Sequence, residues 1–371
     1  MHAYLVKRLR MLPAGVDELL SNNRVVLDGN AAETGLDPLL PLLSQQTVVV
    51  TIPAPLDYFD ASTIPLDRLV DDGVVLAINK QPGVPVQPRA DTDFNNILSA
   101  LHARYRSADT AVDKVPHLAH RLDVDTSGML LVLFDRKLTT RVQQQFAKRQ
   151  VQKEYLAVVH GCPDEDAGSV DCPVWTDPTA SVGDLRHLAG NADRGKEAVT
   201  GWEVEERFNN FALLRFKPKH GRTHQIRIHA LHMGHPIVCD YMYGGGTAYT
   251  EDSLLAAENA AVATRLPIPF EAEDGKIYDL GVPEVLAVVS PALVNAAALD
   301  SRGAAAASQA ECHRYVGVPE EAAVLSRCAL HSASLRFKHP TTAADVTVKA
   351  PLSVDIAKVV EILKANRGRG R

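Results

Sequence analysis

The sequence predicts an α+β fold, because strand-like runs and a helical segment succeed one another through its central part. Four short runs rich in branched and aromatic apolar residues indicate β-strands. They are residues 74–79, 129–134, 155–159 and 211–216. A single clear helix is expected between the second and third of these runs. Strands that outnumber helices without regular alternation are typical of the α+β class.

The predicted helix begins after Asp135, a residue type that suits the N-cap position. Apolar and amphipathic side chains then follow at the spacing of one helical face, at Leu138, Val142, Gln145 and Phe146. The other positions are basic, at Arg136, Lys137, Arg141, Lys148 and Arg149. Simple solvation explains most basic helix faces. Here only Asp135 opposes the charge, so this face is predicted to contact phosphate groups.

Composition places the chain among ordinary globular proteins. It has 371 residues, of which 46% are hydrophobic and 23% are charged. The formal net charge is −6, from 39 basic and 45 acidic residues. That balance argues against a protein that coats polyanions generally, but it permits a local basic groove.

Cysteine usage indicates a reducing intracellular compartment. The five cysteines are odd in number and scattered, and they form no CxxC pair. No apolar run approaches the roughly 20 residues of a membrane span, so no membrane partner is expected. Cytoplasm or nucleus is the expected location. Lys7, Arg8 and Arg10 among apolar residues near the N-terminus indicate a mitochondrial location as the alternative.

The segment His120–Gly128, HRLDVDTSG, is the most informative part of the chain. It sets the carboxylate of Asp123 beside the guanidinium of Arg121, and a turn of small residues then leads into an apolar strand. An acidic residue just before a buried strand requires a reason. These nine residues leave two reasons open, a structural Arg–Asp pair that closes a turn and a reactive carboxylate.

Three further segments decide between them. They are NKQPGVPV at residues 79–86, KEYLAVVHG at 153–161, and GRTHQIRIH at 221–229 followed by GHPIVCD at 234–240. Taken in order with HRLDVDTSG, they resemble the RluA-type pseudouridine synthases, although Gln81-Pro82 stands where that family has Pro-x. The resemblance covers roughly residues 70–245 and a segment near the C-terminus. It implies the pseudouridine synthase fold, a mixed, mainly antiparallel, bisected sheet with flanking helices around a catalytic cleft.

The resemblance also implies an activity, the isomerisation of specific uridines to pseudouridine in structured ribosomal or transfer RNA. RNA is then the expected partner, and the protein is expected to act as a monomer. The reaction breaks the N1–C1′ bond and rejoins the base through C5. It therefore needs no redox step, no metal and no cofactor. Asp123 would either add covalently to the nucleoside or abstract a sugar proton to give a glycal.

Three residues match the family's catalytic positions. Asp123 is the catalytic carboxylate, and Arg227 is the basic residue that pairs with it. Strand alternation is expected to direct Arg227 away from its neighbours Ile226 and Ile228. Tyr155 matches the tyrosine that stacks on the target base and takes a proton from C5.

Other residues are expected to bind the substrate. Arg121 matches the arginine that helps to displace the target base from its stack. Phosphate contacts are expected from the basic helix and from the Lys217–Arg222 strand region. Ile228 or a nearby apolar residue is expected to wall the uracil pocket. The predicted substrate-binding residues are therefore Arg121, Lys153, Arg222 and Ile228.

Two other functions compete with this interpretation. A dense group of histidines suggests a metal-dependent hydrolase, at His220, His224, His229, His232 and His235 near Cys239 and Asp240. The chain has no HExxH motif, however, and Pro236 interrupts the group. The other alternative is a catalytically inactive RNA-binding relative that acts in RNA folding or ribosome assembly. Retention of Asp123, Tyr155 and Arg227 argues against it.

The predicted organisation has three parts. Residues 1–52 resemble a degenerate S4-type RNA-binding region, and a linker follows at 53–69. The catalytic domain then occupies 70–371. It is interrupted at about 245–327 by an Ala-rich, acidic insertion, for which a protein-contact surface is the suggested use.

Overall fold

The computed structural model describes residues 25–27, 48–50, 61–88, 95–105, 115–176, 187–189, 195–244, 246, 248–260, 265–266, 269–271, 277–279, 282–283 and 323–367. The chain divides into two compact units. The small unit comprises Met1–Leu66 and Pro85–Val115, and the large unit comprises Asp67–Val84 and Pro116–Arg371. Every residue predicted for the active site belongs to the large unit.

The small unit contains a pair of strands and a helix. Strand β1 (Val25–Leu27) pairs antiparallel with β2 (Val48–Val50). Helix α1 (Ile97–Tyr105) packs against a short 3-10 turn at Ala61–Thr63. The S4-like character of residues 1–52 remains a prediction, because most of them lie outside the described residues.

The large unit is built from strands with a few helices. The described strands are β3 (Asp67–Asp71), β4 (Val75–Lys80), β5 (His117–Leu118), β6 (Ser127–Leu133), β7 (Gln152–His160), β8 (Ala167–Asp171), β9 (Val174–Thr176), β10 (His187–Ala189), β11 (Val199–Arg207), β12 (Phe211–Pro218), β13 (Arg265–Leu266), β14 (Pro269–Glu271), β15 (Ile277–Asp279), β16 (Val282–Pro283), β17 (Leu330–Lys338) and β18 (Asp345–Lys349). The described helices are α2 (Arg136–Ala147), α3 (Gln225–His232), α4 (Glu251–Asn259) and α5 (Val354–Arg367). All four central strands predicted from the sequence are present. No described helix is both long and apolar enough to cross a lipid bilayer.

The main sheet of the described residues has ten strands. Its order is β3-β4-β6-β17-β7-β12-β11-β8, with β5 beside β6 and β18 beside β17. Strands β6 and β17 pair in parallel, and the other pairs of this sheet are antiparallel. The predicted mixed, mainly antiparallel sheet is therefore confirmed.

The sheet is bisected at the pairing of β6 with β17. That pairing is short and joins Ser127 to His331 and Gly128 to Ser332. Gly128 has a φ of +103°, and a Cβ atom there would overlap the carbonyl oxygen of Ser332. A glycine is therefore required where the two halves of the sheet meet.

Helix α2 forms as predicted. The Asp135 carboxylate accepts a hydrogen bond from Leu138 N at 2.8 Å and so caps the helix. Val142 is fully buried against the side chains of β4 and β6. The five basic side chains that were expected to face outward are all exposed.

The segment that carries Arg227 was predicted to be a strand, and that prediction is wrong. Residues Gln225–His232 form helix α3, and β12 ends earlier, at Pro218. Every side chain from Gln225 to Ala230 is buried. A segment buried on all sides shows neither a two-residue nor a 3.6-residue period, so its pattern cannot distinguish helix from strand.

The predicted linker and the predicted insertion each contain described secondary structure, and the domain organisation itself stays a prediction. Strand β3 begins at Asp67, within the predicted linker, of which residues 53–60 lie outside the described part. Most side chains of β3 are exposed because this strand lies at the edge of the sheet. Its composition is therefore polar, like that of a linker. Helix α4 lies in the predicted insertion. Thr250 caps it, and Leu254 is buried in the core of the large unit.

Candidate active site

Asp123 lies on the loop that leads into β6, beside the point where the halves of the sheet meet. The backbone turns directly after it, because Thr126 N donates to the carbonyl oxygen of Asp123 at 3.2 Å. The Asp123 side chain is 22% exposed. The carboxylate therefore remains accessible while the loop beneath it is fixed by the contacts described next.

Lys80, at the end of β4, holds one side of this loop. Its buried Nζ donates to the carbonyl oxygens of Gln81 at 2.7 Å, Val84 at 2.9 Å and Val124 at 2.8 Å. An ammonium group has three N–H donors, so these three acceptors satisfy all of them. Burial lowers the pKa of Lys80 to about 7, against the opposing effect of the Asp125 carboxylate. The sequence placed Lys80 in a family motif but gave it no role.

Arg327, just before β17, holds the other side. Its guanidinium donates to the carbonyl oxygen of Asp125 at 2.8 Å and to Ser127 Oγ at 3.1 Å. The same group forms a two-point ion pair with Asp355 of α5, at 2.7 and 2.8 Å. The C-terminal helix is thereby connected to a backbone position two residues from Asp123. No local sequence pattern predicts this connection.

Two basic side chains of the α3 segment face the Asp123 carboxylate. Arg227 Nη1 lies 3.8 Å from Asp123 Oδ2, as the predicted pairing requires. His224 Nε2 lies 3.8 Å from the same oxygen. Both distances exceed a hydrogen bond, so the groups supply positive charge or a donor to Asp123 without direct bonding in this structure.

Asp240 holds the Arg227 guanidinium in place, and the sequence analysis missed that role. Arg227 Nε and Nη2 donate to the two Asp240 oxygens at 2.6 and 2.7 Å. The Asp240 side chain is fully buried, and it also accepts a hydrogen bond from Cys328 Sγ at 3.5 Å. Although burial acts to lower the pKa of Arg227, the Asp240 charge outweighs it and raises that pKa. The face of Arg227 lies over the Tyr243 ring, 4.9 Å from its centroid.

Tyr155 lies on β7, between Phe216 of β12 and Ser332 of β17. Burial and the nearby Asp123 charge raise the pKa of its hydroxyl to about 12. Tyr155 is therefore a neutral phenol near pH 7. Its ring contributes to the same cavity wall as Asp123.

The cavity around Asp123 has a volume of about 470 Å³, within the usual range of small-molecule sites. Of the predicted residues, it brings together Asp123, Tyr155, Arg227, Arg121, Lys153 and Arg222. Its rim also carries Arg149 at the end of α2 and Lys219 after β12. The cavity thus combines one accessible carboxylate with a cationic entrance. The chemical roles of these residues remain predictions.

Ile228 does not line the cavity. It is 2% exposed and packs against Val174, Ala198 and Tyr243. Ile226, two residues earlier in α3, lines the cavity instead. The helical course of this segment explains the difference, since residues two apart on a helix face different directions.

The clustered histidines are engaged in separate structural contacts. His229 bonds to Thr200 Oγ1 at 2.8 Å and to the Cys172 carbonyl at 2.9 Å. His235 bonds to the His160 carbonyl at 2.9 Å. Within the described ranges, no three His, Cys, Asp or Glu side chains are arranged to hold a metal ion.

Comparison with known proteins points to one family. Residues 74–232 match the model of a family described as RNA pseudouridylate synthase. The chain is 35% identical to an uncharacterized RNA pseudouridine synthase of Synechocystis, over 59% of this chain and 68% of that protein. It is 33% identical to an uncharacterized RNA pseudouridine synthase of Bacillus subtilis, over 62% of this chain and 73% of that protein.

A further relative is the ribosomal large subunit pseudouridine synthase D of Xylella fastidiosa. The two are 39% identical over 49% of this chain and 53% of that protein, so the match spans about half of the relative's length. Among solved structures, human RNA pseudouridylate synthase domain containing 4 is similar with a TM-score of 0.50 and 21% identity. That match covers 80% of this chain and 93% of the human one, and it concerns the fold.

Proposed function

Because the chain belongs to the RluA-type RNA pseudouridine synthases, a family of isomerases that act on RNA, we propose that it converts a specific uridine of large-subunit ribosomal RNA to pseudouridine. The observation that carries the proposal is the convergence of Asp123, Arg227 and Tyr155 on one cavity with a cationic rim. Ribosomal RNA is preferred to transfer RNA because several relatives are named as ribosomal large subunit synthases.

In this proposal Asp123 is the reacting carboxylate. Pseudouridine formation breaks the N1–C1′ bond and joins C1′ to C5 of the same base. C5 loses a proton and N1 gains one, so no oxidant or reductant is consumed. Asp123 acts either by adding to the nucleoside or by abstracting a sugar proton, and both routes need an ionised carboxylate. Arg227, 3.8 Å away, supplies the compensating positive charge.

Tyr155 is proposed to hold the extracted base by stacking. A base on an aromatic face gains about 1–3 kcal/mol, which offsets part of the cost of extraction. With its pKa raised to about 12, the hydroxyl keeps its proton near neutral pH. Its protonated state favours stacking over the proton removal from C5 that the family resemblance also suggested. Arg121, exposed beside Asp123, is proposed to help displace the base.

Lys153 is proposed to contact an RNA phosphate, which makes RNA affinity depend on pH. Burial and the neighbouring Arg222 lower the pKa of Lys153 to about 8, so its charge is lost as pH rises through that value. A phosphate bound beside it favours the charged form. We therefore expect the Kd for RNA to rise about five- to tenfold between about pH 7 and pH 9.

Lys153→Arg provides the matched control for that titration. An arginine stays charged throughout this pH range. The variant should show a flat profile in a filter-binding or fluorescence-anisotropy titration. If the Kd of the wild type depends on pH as little as that of Lys153→Arg, Lys153 does not bind RNA through its charge.

The basic face of α2 is proposed to follow the RNA backbone. Lys137 is exposed on this helix and Lys148 is exposed directly after it, where the C-terminal end of the helix borders the cavity. Their double replacement by alanine should lower the slope of log K against log salt by about one to two. The control is Lys349→Ala with Lys358→Ala, two exposed lysines outside the cavity lining. Equal slopes for both double variants would contradict the proposed surface.

The test of the function itself is chemical mapping of pseudouridine in ribosomal RNA from cells that lack the protein. We expect one large-subunit site to disappear and to return on expression of the wild-type chain. If every ribosomal site persists, purified protein incubated with total RNA separates two outcomes. Release of the C5 hydrogen from transfer RNA would change the substrate, and release from no RNA would leave the inactive RNA-binding alternative.

We further propose that the protein acts as a monomer in a reducing intracellular compartment, cytoplasm or nucleus in preference to mitochondrion. The free, unpaired thiols among the described cysteines support a reducing environment. Light scattering tests the monomeric state, and imaging of a tagged chain tests the location.

A protein-contact role for residues 245–327 is proposed from their acidic composition. Affinity capture with and without residues 261–322 tests it, because this range spares α4.

A further inference from the structure

We propose that Tyr243 and His224 act as a positioning pair that orients the catalytic carboxylate of Asp123. In this pair the Tyr243 hydroxyl fixes the imidazole of His224 so that its Nε2–H is directed at Asp123 Oδ2. The proposal rests on the proposed isomerisation and deepens it, because it adds two residues to the machinery around the carboxylate. Neither residue was given a catalytic or substrate-binding role by the sequence.

The backbone of His224 is the first sign of a special role. Its φ and ψ are 56° and 16°, in the left-handed region that side chains other than glycine rarely adopt. His224 stands at the N-cap of α3, yet its side chain makes no capping hydrogen bond. The chain thus accepts an unfavourable backbone conformation without the usual gain from capping. Such conformations concentrate at functional sites.

The imidazole of His224 is oriented from both of its nitrogens. Nδ1 lies 2.9 Å from the Tyr243 hydroxyl, and Nε2 lies 3.8 Å from Asp123 Oδ2. Hydrogen positions are assigned here from the surroundings. If the hydroxyl donates to Nδ1, the proton of the neutral ring resides on Nε2 and faces the carboxylate. The opposite tautomer would direct an Nε2 lone pair at a carboxylate, which is repulsive.

Tyr243 also supports the second group that faces Asp123. The Arg227 guanidinium lies 4.9 Å from the centroid of its ring, in a cation–π contact. The His224 ring meets the same ring edge-on, with centroids 5.6 Å apart. One aromatic side chain therefore orients both neighbours of the carboxylate. This arrangement links the His224 and Arg227 positions to each other through Tyr243.

Tyr243 itself is well placed to fix these groups. It is 4% exposed, and Ile228 packs in the same apolar cluster. Its backbone N donates to the Asp240 carbonyl oxygen at 3.2 Å. Ile228, predicted to wall the uracil pocket, packs in the cluster that contains Tyr243 and does not line the cavity.

The geometry has a consequence for the two oxygens of Asp123. The closest approach of both His224 and Arg227 is to Oδ2. A carboxylate whose Oδ2 faces two N–H groups at 3.8 Å presents the other oxygen, Oδ1, to the sugar. The pair would then increase the fraction of enzyme in which Oδ1 points at the reacting carbon, which is an effect on rate more than on RNA affinity.

Two variants isolate this role. Tyr243→Phe removes only the hydroxyl and keeps the ring beneath Arg227. His224→Gln keeps an N–H donor near the position of Nε2 but has no tautomer for a hydroxyl to select. The substrate is ribosomal RNA from cells lacking the protein, labelled with tritium at uridine C5. The readouts are the single-turnover rate of tritium release and the Kd for that RNA.

We expect Tyr243→Phe to slow the single-turnover step about tenfold, with a Kd within about twofold of wild type. In the His224→Gln background, the same change should have almost no further effect. Additive losses in the double variant, or a raised Kd with an unchanged rate, would overturn the proposal. Thermal unfolding of each variant is measured alongside. If Tyr243→Phe has a folding defect, the single-turnover rates of His224→Gln and His224→Ala are compared instead.

A measurement independent of activity separates this inference from the proposed function. Nitrogen-15 NMR of labelled histidines at about pH 8 distinguishes the two tautomers of a neutral ring, and His224→Gln identifies the signal of His224. We expect the Nε2–H tautomer in the wild type and a shift toward a mixture in Tyr243→Phe. An Nδ1–H tautomer in the wild type would contradict the inference even if the enzyme is active. Absence of tritium release from any RNA, with the expected tautomer present, would instead contradict the proposed function.

Discussion

Replacement of Asp123 by asparagine should abolish isomerisation and leave RNA binding almost unchanged. Asparagine has the same shape, but it carries no charge and can neither add to the nucleoside nor abstract a sugar proton. We expect the single-turnover rate to fall by about three orders of magnitude or more, as for the loss of other reacting groups. The Kd for RNA should stay within about threefold, since the cationic rim is intact.

Asp125→Asn is the matched control, since Asp125 lies on the same loop but does not line the cavity. Its backbone carbonyl holds Arg327, and that contact does not depend on the side chain. The control should retain far more activity than Asp123→Asn, because its loss is limited to a weaker positive charge on Lys80 once the Asp125 carboxylate is neutral. Substantial turnover by Asp123→Asn, measured as tritium released from C5, would show that the reacting group lies elsewhere.

Replacement of Asp240 by asparagine should cause the largest loss of stability among the site residues. The Asp240 side chain is fully buried and provides both acceptors for the Arg227 guanidinium, whose side chain is only 5% exposed. Without the Asp240 carboxylate, the buried positive charge of Arg227 has no opposite charge of the same quality beside it. Removing one member of such a pair costs about 3–5 kcal/mol of unfolding free energy. Activity should fall as well, because Arg227 is then free to shift toward Asp123.

Asp345→Asn provides the control for this measurement. Asp345 pairs with Arg336 at 3.7 Å and with Lys338 at 3.4 Å, but all three side chains are at least half exposed. Exposed pairs contribute less than about 1 kcal/mol. Urea unfolding should therefore separate the two variants clearly. Equal midpoints for Asp240→Asn and Asp345→Asn would mean that the buried pair does not stabilise the fold as argued.

The local sequence was sufficient where one segment carries the whole signal. Asp135 and the apolar positions that follow it predicted α2 correctly, because a cap and a helical face both lie within one short segment. Asp123, Tyr155 and Arg227 were each found from ordered motifs, and the fold brings them to one cavity. The motif determined these positions even where the local structure was predicted wrongly, as in α3.

The sequence was insufficient where the partner of a residue lies far along the chain. Arg327 reaches the loop around Asp125 across about 200 residues, and no local pattern reports such a contact. Asp240 is a different case. A buried arginine requires a carboxylate, and Asp240 follows the apolar residues Val238 and Cys239 in the GHPIVCD segment. That signal was present and could have identified the partner of Arg227.

The position of β17 in the sheet has a consequence for the order in which the enzyme is made. Strand β17 lies between β6 and β7, yet it is the second-to-last of the described strands. During synthesis, β6 therefore emerges about 200 residues, and β7 about 170 residues, before the strand that separates them, and Arg327 emerges directly before that strand. A nascent chain lacks the centre of its sheet until residues 330–338 have been synthesised. The cavity around Asp123 is thus completed only after Arg327 and β17 have emerged, because a shorter nascent chain lacks the contacts that hold the loop around Asp123.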